Sequence, residues 1–254
     1  MQIGICRLCL KEKFLLRKSH VIPNWMYFGL FDEKHKVAKA PLEDDSKIVF
    51  YPTGLYDSNI LCESCDNVLL SNLENYGKSI LYGDKGFIDF FKAENIRTTE
   101  GLKSAVVKGI EYNKFKLFLL SILFKMHLSK LDFFSEVDLG NKHAEKIRQK
   151  LLHADFIEED EYEVAIISID KLEDLITNMI LNPKKIKQSL NTYYITLING
   201  LYFMYNISPT NKQNLITKSS VRVDGTLLVP LLEGDTARLF YDSLSKTIVR
   251  KRIE

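Results

Sequence analysis

Stretches of helical and of strand-like apolar spacing follow one another along the chain, and each predicts an element. From Ser64 to Leu81, apolar residues at Leu69, Leu70, Leu73, Tyr76, Ile80 and Leu81 recur at helical spacing, with Ser64 placed as N-cap. From Asn113 to about Lys130 the residues are apolar nearly all round, which predicts a helix in the core rather than on the surface. Asn141 to His153 reads as an amphipathic helix, Leu172 to Met179 as a short one, and Asp235 to Val249 as a closing one ahead of the basic run Arg250-Lys251-Arg252. Tyr162 to Ile169, which follows an acidic stretch, reads as a strand. The clearest hairpin joins Thr192–Ile198 to Leu201–Ile207, because Asn199-Gly200 supplies the positive φ values of a two-residue turn. A charged insert, Asp32 to Lys47, carries Pro41 and reads as a surface loop or a loose hairpin.

These elements predict an α+β protein in two parts: residues 1–92, which hold all the cysteines, and residues 93–254, with a central buried helix and an antiparallel hairpin. A content of 46% hydrophobic and 27% charged residues is that of an ordinary folded domain. No internal repeat, glycine-rich phosphate loop or low-complexity tract stands out. Overall charge, 35 basic against 33 acidic residues, says nothing about partners, yet Arg7, Lys11, Lys13, Arg17 and Lys18 face only Glu12 within the first thirty positions. Those positions, interrupted by cysteines and lysines, do not read as a signal peptide. The longest apolar run, Leu117 to Phe124, is flanked by Lys114, Lys116, Lys125 and His127 and falls short of the ~18 to 20 uncharged residues of a membrane helix. A cytoplasmic protein with no membrane contact is expected.

The four cysteines form two Cys-x-x-Cys pairs, Cys6/Cys9 and Cys62/Cys65, with 52 residues between them. In a reducing compartment such pairs point to a closed, all-sulfur structural zinc site, provided the fold brings them together; four independent buried thiols are the plainer alternative.

The stretches Cys6-Arg-Leu-Cys9, Ser19-His20-Val-Ile-Pro23 and Leu61-Cys62-Glu-Ser-Cys65-Asp66, followed by a helix, resemble the zinc-ribbon branch of the HNH (His-Me finger) endonucleases over about the first 80 residues. The resemblance implies a small zinc-ribbon/ββα-metal domain at the N-terminus. It also implies that His20 is the general base that strips a proton from water, while a Mg²⁺ or Mn²⁺ ion holds the scissile phosphate. Where that family places a metal-binding Asp or His before the base, this chain has Ser19; where it places an Asn, Asp57 stands, with Asn59 nearby; where it places a His after the second knuckle, Asp66 stands. Asp57 is then expected to orient His20 and Asp66 to hold the catalytic ion, with Glu63 and Glu74 as further contributors. Each has a bland counterpart: His20 as a packed strand end, Asp57 as a turn residue, Asp66 as a helix-start carboxylate.

Lys11, Lys13, Arg17 and Lys18, between the first knuckle and His20, are expected to neutralise nucleic-acid phosphates, unless they form a solvated strand face. Lys184, Lys185, Lys187 and the C-terminal basic run are candidates to extend that surface, whereas Trp25, Tyr27 and Phe28 are expected to pack the small domain. The resulting expectation is a metal-dependent endonuclease acting on DNA rather than RNA, an effector of a bacterial defence or mobile-element system, whose second part recognises a partner or regulates access. The rivals are a catalytically decayed zinc-ribbon adaptor that binds nucleic acid or protein, and a chain that acts only when docked on a partner protein.

Overall fold

The computed structural model describes residues 2–41, 49–82, 94–97, 103–169, 179–188, 190–208, 218–234 and 247–250. The chain opens with an antiparallel ribbon, β1 (Gln2–Ile5) against β2 (Glu12–Leu15), with Cys6 to Lys11 forming the knuckle between them. A two-residue ladder follows, β3 (Ser19–His20) against β6 (Tyr56–Asp57), and a 3₁₀ turn, Asn24–Tyr27, lies in the span between. The rest of that span forms β4 (Lys36–Pro41) and β5 (Val49–Pro52), an antiparallel pair, so the charged insert is a hairpin; its residues 42–48 lie outside the described set.

The helix after the second knuckle begins with wider, π-helical turns over Ser64–Leu70 and continues as α1 (Ser71–Leu81). Ser64 lies inside it rather than at its cap, and its Oγ lies 3.3 Å from Cys62 Sγ. The apolar run is α2 (Tyr112–Leu128), and the amphipathic helix is α3 (Gly140–His153), ended by Ala154 in the left-handed region. The side chain of α2 residue Asn113 accepts from Ile157 N, which ties down the chain that leaves α3.

The remaining strands are β7 (Glu94–Arg97), β8 (Lys103–Val107), β9 (Val164–Ile169), β10 (Met179–Leu181), β11 (Lys184–Gln188), β12 (Asn191–Ile198), β13 (Leu201–Asn206), β14 (Leu227–Leu232) and β15 (Thr247–Arg250). With β4 and β5 they form an eleven-stranded sheet of order β5-β4-β15-β10-β12-β13-β9-β14-β8-β7, with β11 also paired to β12. All its ladders are antiparallel except β9–β14. Strands β10 and β11 run along the same edge of β12 with registers one residue apart, as expected of a strand broken by Asn182-Pro183. The β12–β13 turn has Asn199 at φ 49° and Gly200 at φ 84°, the two left-handed residues that the hairpin reading requires.

Side chains alternate across the sheet. Ile166, Tyr194, Ile198, Leu201, Phe203 and Tyr205 join the large core built around α2, while Ala165, Ile167, Ile195, Leu197 and Tyr202 form a second cluster on the other face. The large core also takes in Leu8, Val21, Ile22, Met26 and Leu55, and β4 pairs with β15, so elements from both sides of residue 92 share one sheet and one core.

Residues 172–178 and 235–246 lie outside the described set, but Met179 starts a strand, and Thr247–Val249, expected to end a helix, belong to β15. β-Branched Thr247, Ile248 and Val249 suit a strand paired on both sides by β4 and β10.

Candidate metal centre and histidine site

The two knuckles are brought together by backbone stitching. Leu15 bridges to Cys62, Arg7 N donates to Ile60 O at 2.9 Å, Leu16 N donates to Leu61 O at 2.9 Å, and Asn59 N donates to Leu16 O at 2.8 Å. These bonds close the base of the intervening loop, which is how a pair separated by 52 residues converges. Each knuckle has its own turn. Leu10, at φ 57°, donates to Cys6 O at 2.9 Å, while Cys62 O accepts from Cys65 N at 3.1 Å and Asp66 N at 3.0 Å.

As a result the Sγ atoms of Cys6, Cys9, Cys62 and Cys65 all lie within 4.8 Å of one another, with Cys9 and Cys62 4.0 Å apart. A tetrahedral site with Zn–S bonds of about 2.3 Å needs sulfur–sulfur edges of roughly 3.8 Å. All four are free thiols, and three are buried. A hydrogen bond from Cys65 and others from neighbouring backbone amides draw the Cys6 thiol down to about 4, against its burial, and the same contact pushes Cys65 up. Ligand type and spacing fit, and the four cysteines could hold a metal ion such as zinc. Arg148 of α3, itself buried and paired with Glu145, donates to Leu8 O at 2.5 Å, so the first knuckle is clamped from outside as well.

His20 lies on the ladder that leads away from this centre. Its Nε2 is 2.7 Å from Thr53 O; a carbonyl only accepts, so the proton sits on Nε2 and the lone pair on Nδ1. Burial lowers the His20 pKa, the Thr53 bond opposes that, Lys125 lowers it further, and Glu74 and Asp66 raise it; the net shift is downward. The ring is therefore neutral at pH 7. Thr53 holds this bond from a left-handed conformation, φ 67°, uncommon for a β-branched residue. Tyr56, opposite His20, presents its ring at 6.3 Å edge-on, and Lys18 Nζ lies 4.9 Å from the centre of the same ring.

Two expectations are corrected, the first of them by this ladder. Ser19 pairs with Asp57 and His20 with Tyr56, and successive residues of a strand point to opposite faces. Asp57 thus lies on the face away from His20. Its Oδ1 accepts from Ser58 N at 2.9 Å, and its Oδ2 accepts from Ser129 Oγ at 3.0 Å and Lys130 N at 2.6 Å, so it anchors the chain leaving α2. The ring of His20 is held by the Thr53 carbonyl, not by Asp57. Ser19, fully buried, faces the same way as Asp57.

Asp66 is the second correction. Lys125 of α2 donates to Asp66 Oδ1 at 3.3 Å and to Glu74 Oε1 at 2.9 Å, with the lysine side chain 2% exposed and the carboxylates 10% and 19%. Burial opposes the ammonium, but Glu74 and Asp66 outweigh it, and the Lys125 pKa is raised. Both carboxylates are thus already engaged by one protein cation. Among the described residues Asp66, Glu74 and His20 form no converging metal-ligand group; the four cysteines do. These residues do not fit a divalent catalytic ion as they stand, and Glu63, exposed on the helix start, adds no ligand to such a group.

Lys11, Lys13, Arg17 and Lys18 are all exposed, with Lys13 Nζ donating to Ser64 Oγ at 3.0 Å. Trp25 packs in the core, stacked on Phe118 and edge-on to Tyr82, and buried Tyr27 accepts from Leu55 N through its hydroxyl; Phe28 is 55% exposed. Lys184 pairs with Glu136, and residues 251–254 lie outside the described set. Sequence reasoning missed Thr53, Lys125 and Arg148. Lys125 left a signal, since a lysine within a helix apolar all round must find a buried partner.

No protein-family model matches the chain, and neither a curated protein nor a solved structure matches it. Functional inference therefore rests on the side chains themselves. Among the described residues no helix is long and apolar enough to cross a membrane.

Proposed function

We propose that the chain is a nucleic-acid phosphodiesterase of HNH-like type, built on a structural zinc held by Cys6, Cys9, Cys62 and Cys65, with His20 as its general base. The observation that carries this reading is the 2.7 Å bond from His20 Nε2 to Thr53 O, which leaves a neutral imidazole with its Nδ1 lone pair available. In the proposed step, water gives its proton to Nδ1 while its oxygen bonds to phosphorus. The bond to the leaving oxygen breaks, and that oxygen takes a proton from solvent. Exposed Lys11, Lys13, Arg17 and Lys18 lie on the chain between the first knuckle and His20, where they would carry the phosphate backbone, DNA being the first substrate to try. A role as effector of a defence or mobile-element system, acting with a partner protein, belongs to the same proposal.

The test is cleavage of plasmid and oligonucleotide substrates by the zinc-loaded protein and by His20→Ala. Loss of cleavage by about a hundredfold or more, with zinc content and fold retained, is the expected result for a general base. Equal cleavage by the variant contradicts the reading. A second reading, a zinc-ribbon adaptor that binds nucleic acid or protein without turnover, is favoured by the engagement of Asp66 and Glu74 with Lys125. It predicts salt-sensitive binding and no cleavage by either protein.

A further inference from the structure

The resemblance calls for a divalent ion beside His20, and the residues there hold a lysine instead. Asp66 lies in the first turns of the helix after the second knuckle and Glu74 about two turns on, and Lys125 of α2 bridges one oxygen of each, at 3.3 and 2.9 Å. The lysine is delivered to this position by α2, a largely apolar helix packed in the core against α1, so its ammonium cannot retreat to solvent. A buried ammonium without partners is strongly disfavoured, and two carboxylates held apart by nothing repel. The three groups are therefore mutually required, and their charges reach His20.

We infer that Lys125 is the resident cation of this site. Its ammonium holds the place between Asp66 and Glu74 that a divalent ion would need, and the chemistry at His20 proceeds without one. The consequence is that the site is composite, since the base and the two carboxylates come from the first 92 residues and the cation from α2. Lys125 acts here as a positioning residue, setting the charge around His20 and excluding Mg²⁺ or Mn²⁺ from the two carboxylates. The inference rests on the hydrolase reading only for the use made of that charge; the occupancy of the site can be read without any cleavage.

The experiment is a Mn²⁺ titration of the full-length, zinc-loaded protein followed by electron paramagnetic resonance, run on wild type, Lys125→Gln and the double variant Lys125→Gln/Asp66→Asn. Glutamine is one bond shorter but can still donate a hydrogen bond, and it removes the charge. One Mn²⁺ per Lys125→Gln chain is expected, bound about tenfold or more tightly than by wild type, as removal of an adjacent unit charge implies, and lost again in the double variant. Should Lys125→Gln unfold in metal-free buffer, Mn²⁺ is expected to restore its thermal transition while leaving that of wild type unmoved. Mn²⁺ bound by wild type and lost on Asp66→Asn overturns the inference, as does Lys125→Gln that neither binds Mn²⁺ nor is stabilised by it. If the chain proves not to cleave, the phosphodiesterase reading fails while this titration still decides the cation.

Discussion

Thr53 combines a β-branched side chain, φ 67°, a buried Oγ1 without a partner among the described residues, and the carbonyl that fixes His20. Strain of this kind costs on the order of 1–3 kcal/mol and persists only where the surroundings hold it. Glycine adopts that conformation freely and keeps the carbonyl, so Thr53→Gly is expected to stabilise the protein by about 1 kcal/mol in urea unfolding, after its own entropic cost. The same variant should leave the His20 tautomer unchanged, as read from the imidazole nitrogen shifts. The buried lysines of α2 make a second contrast. Lys116 donates to Tyr112 Oη and to the carbonyls of Glu158 and Glu159, and burial draws it down to about 8 despite nearby carboxylates. Lys125, held by two carboxylates directly, moves the other way. Apart from Tyr112, one turn before Lys116, their partners lie 42 or more positions away, so the local sequence says little about which way each lysine moves.

Among the elements, α2 and the β12–β13 hairpin were legible in advance, since a helix apolar all round and an Asn-Gly turn are local signals. The cysteine pairs were legible for the same reason. What escaped was non-local: the pairing of β4, from the insert's hairpin, with β15, and the strand that residues 247–250 form between β4 and β10. The contact of α1 with α2 also depends on a residue that spacing alone undervalues. A Cβ placed on Gly77 would stand 2.4 Å from the Phe118 ring, so this mid-helix glycine permits the close approach that brings Glu74 to Lys125. Gly77→Ala is expected to destabilise by about 1–3 kcal/mol, the usual range for overpacking, despite alanine's better helix propensity. A gain in the unfolding midpoint would show that the helices can part without loss.

At the scale of the whole molecule, the four-cysteine cluster and the sheet share one core. Leu8 joins the large core, and Arg148 ties α3 to the first knuckle. Native mass spectrometry is expected to find one zinc per chain, and chelation is expected to raise hydrogen exchange in α3 as well as in the knuckles. Exchange confined to the knuckles would separate the two. The lowered pKa of His20 fixes the sign of two pH effects. A histidine that stays neutral when folded stabilises fully above its unfolded value of about 6.5, and that contribution is lost as pH falls below it. A base with the same shift is competent at neutral pH and fails on the acid side. The most direct test is the pH dependence of oligonucleotide cleavage by the zinc-loaded protein beside His20→Ala. The predicted result is a wild-type rate that is flat above neutrality and falls along a single acid limb below pH 6.5, with the variant inactive throughout; cleavage by His20→Ala at the wild-type rate would contradict it.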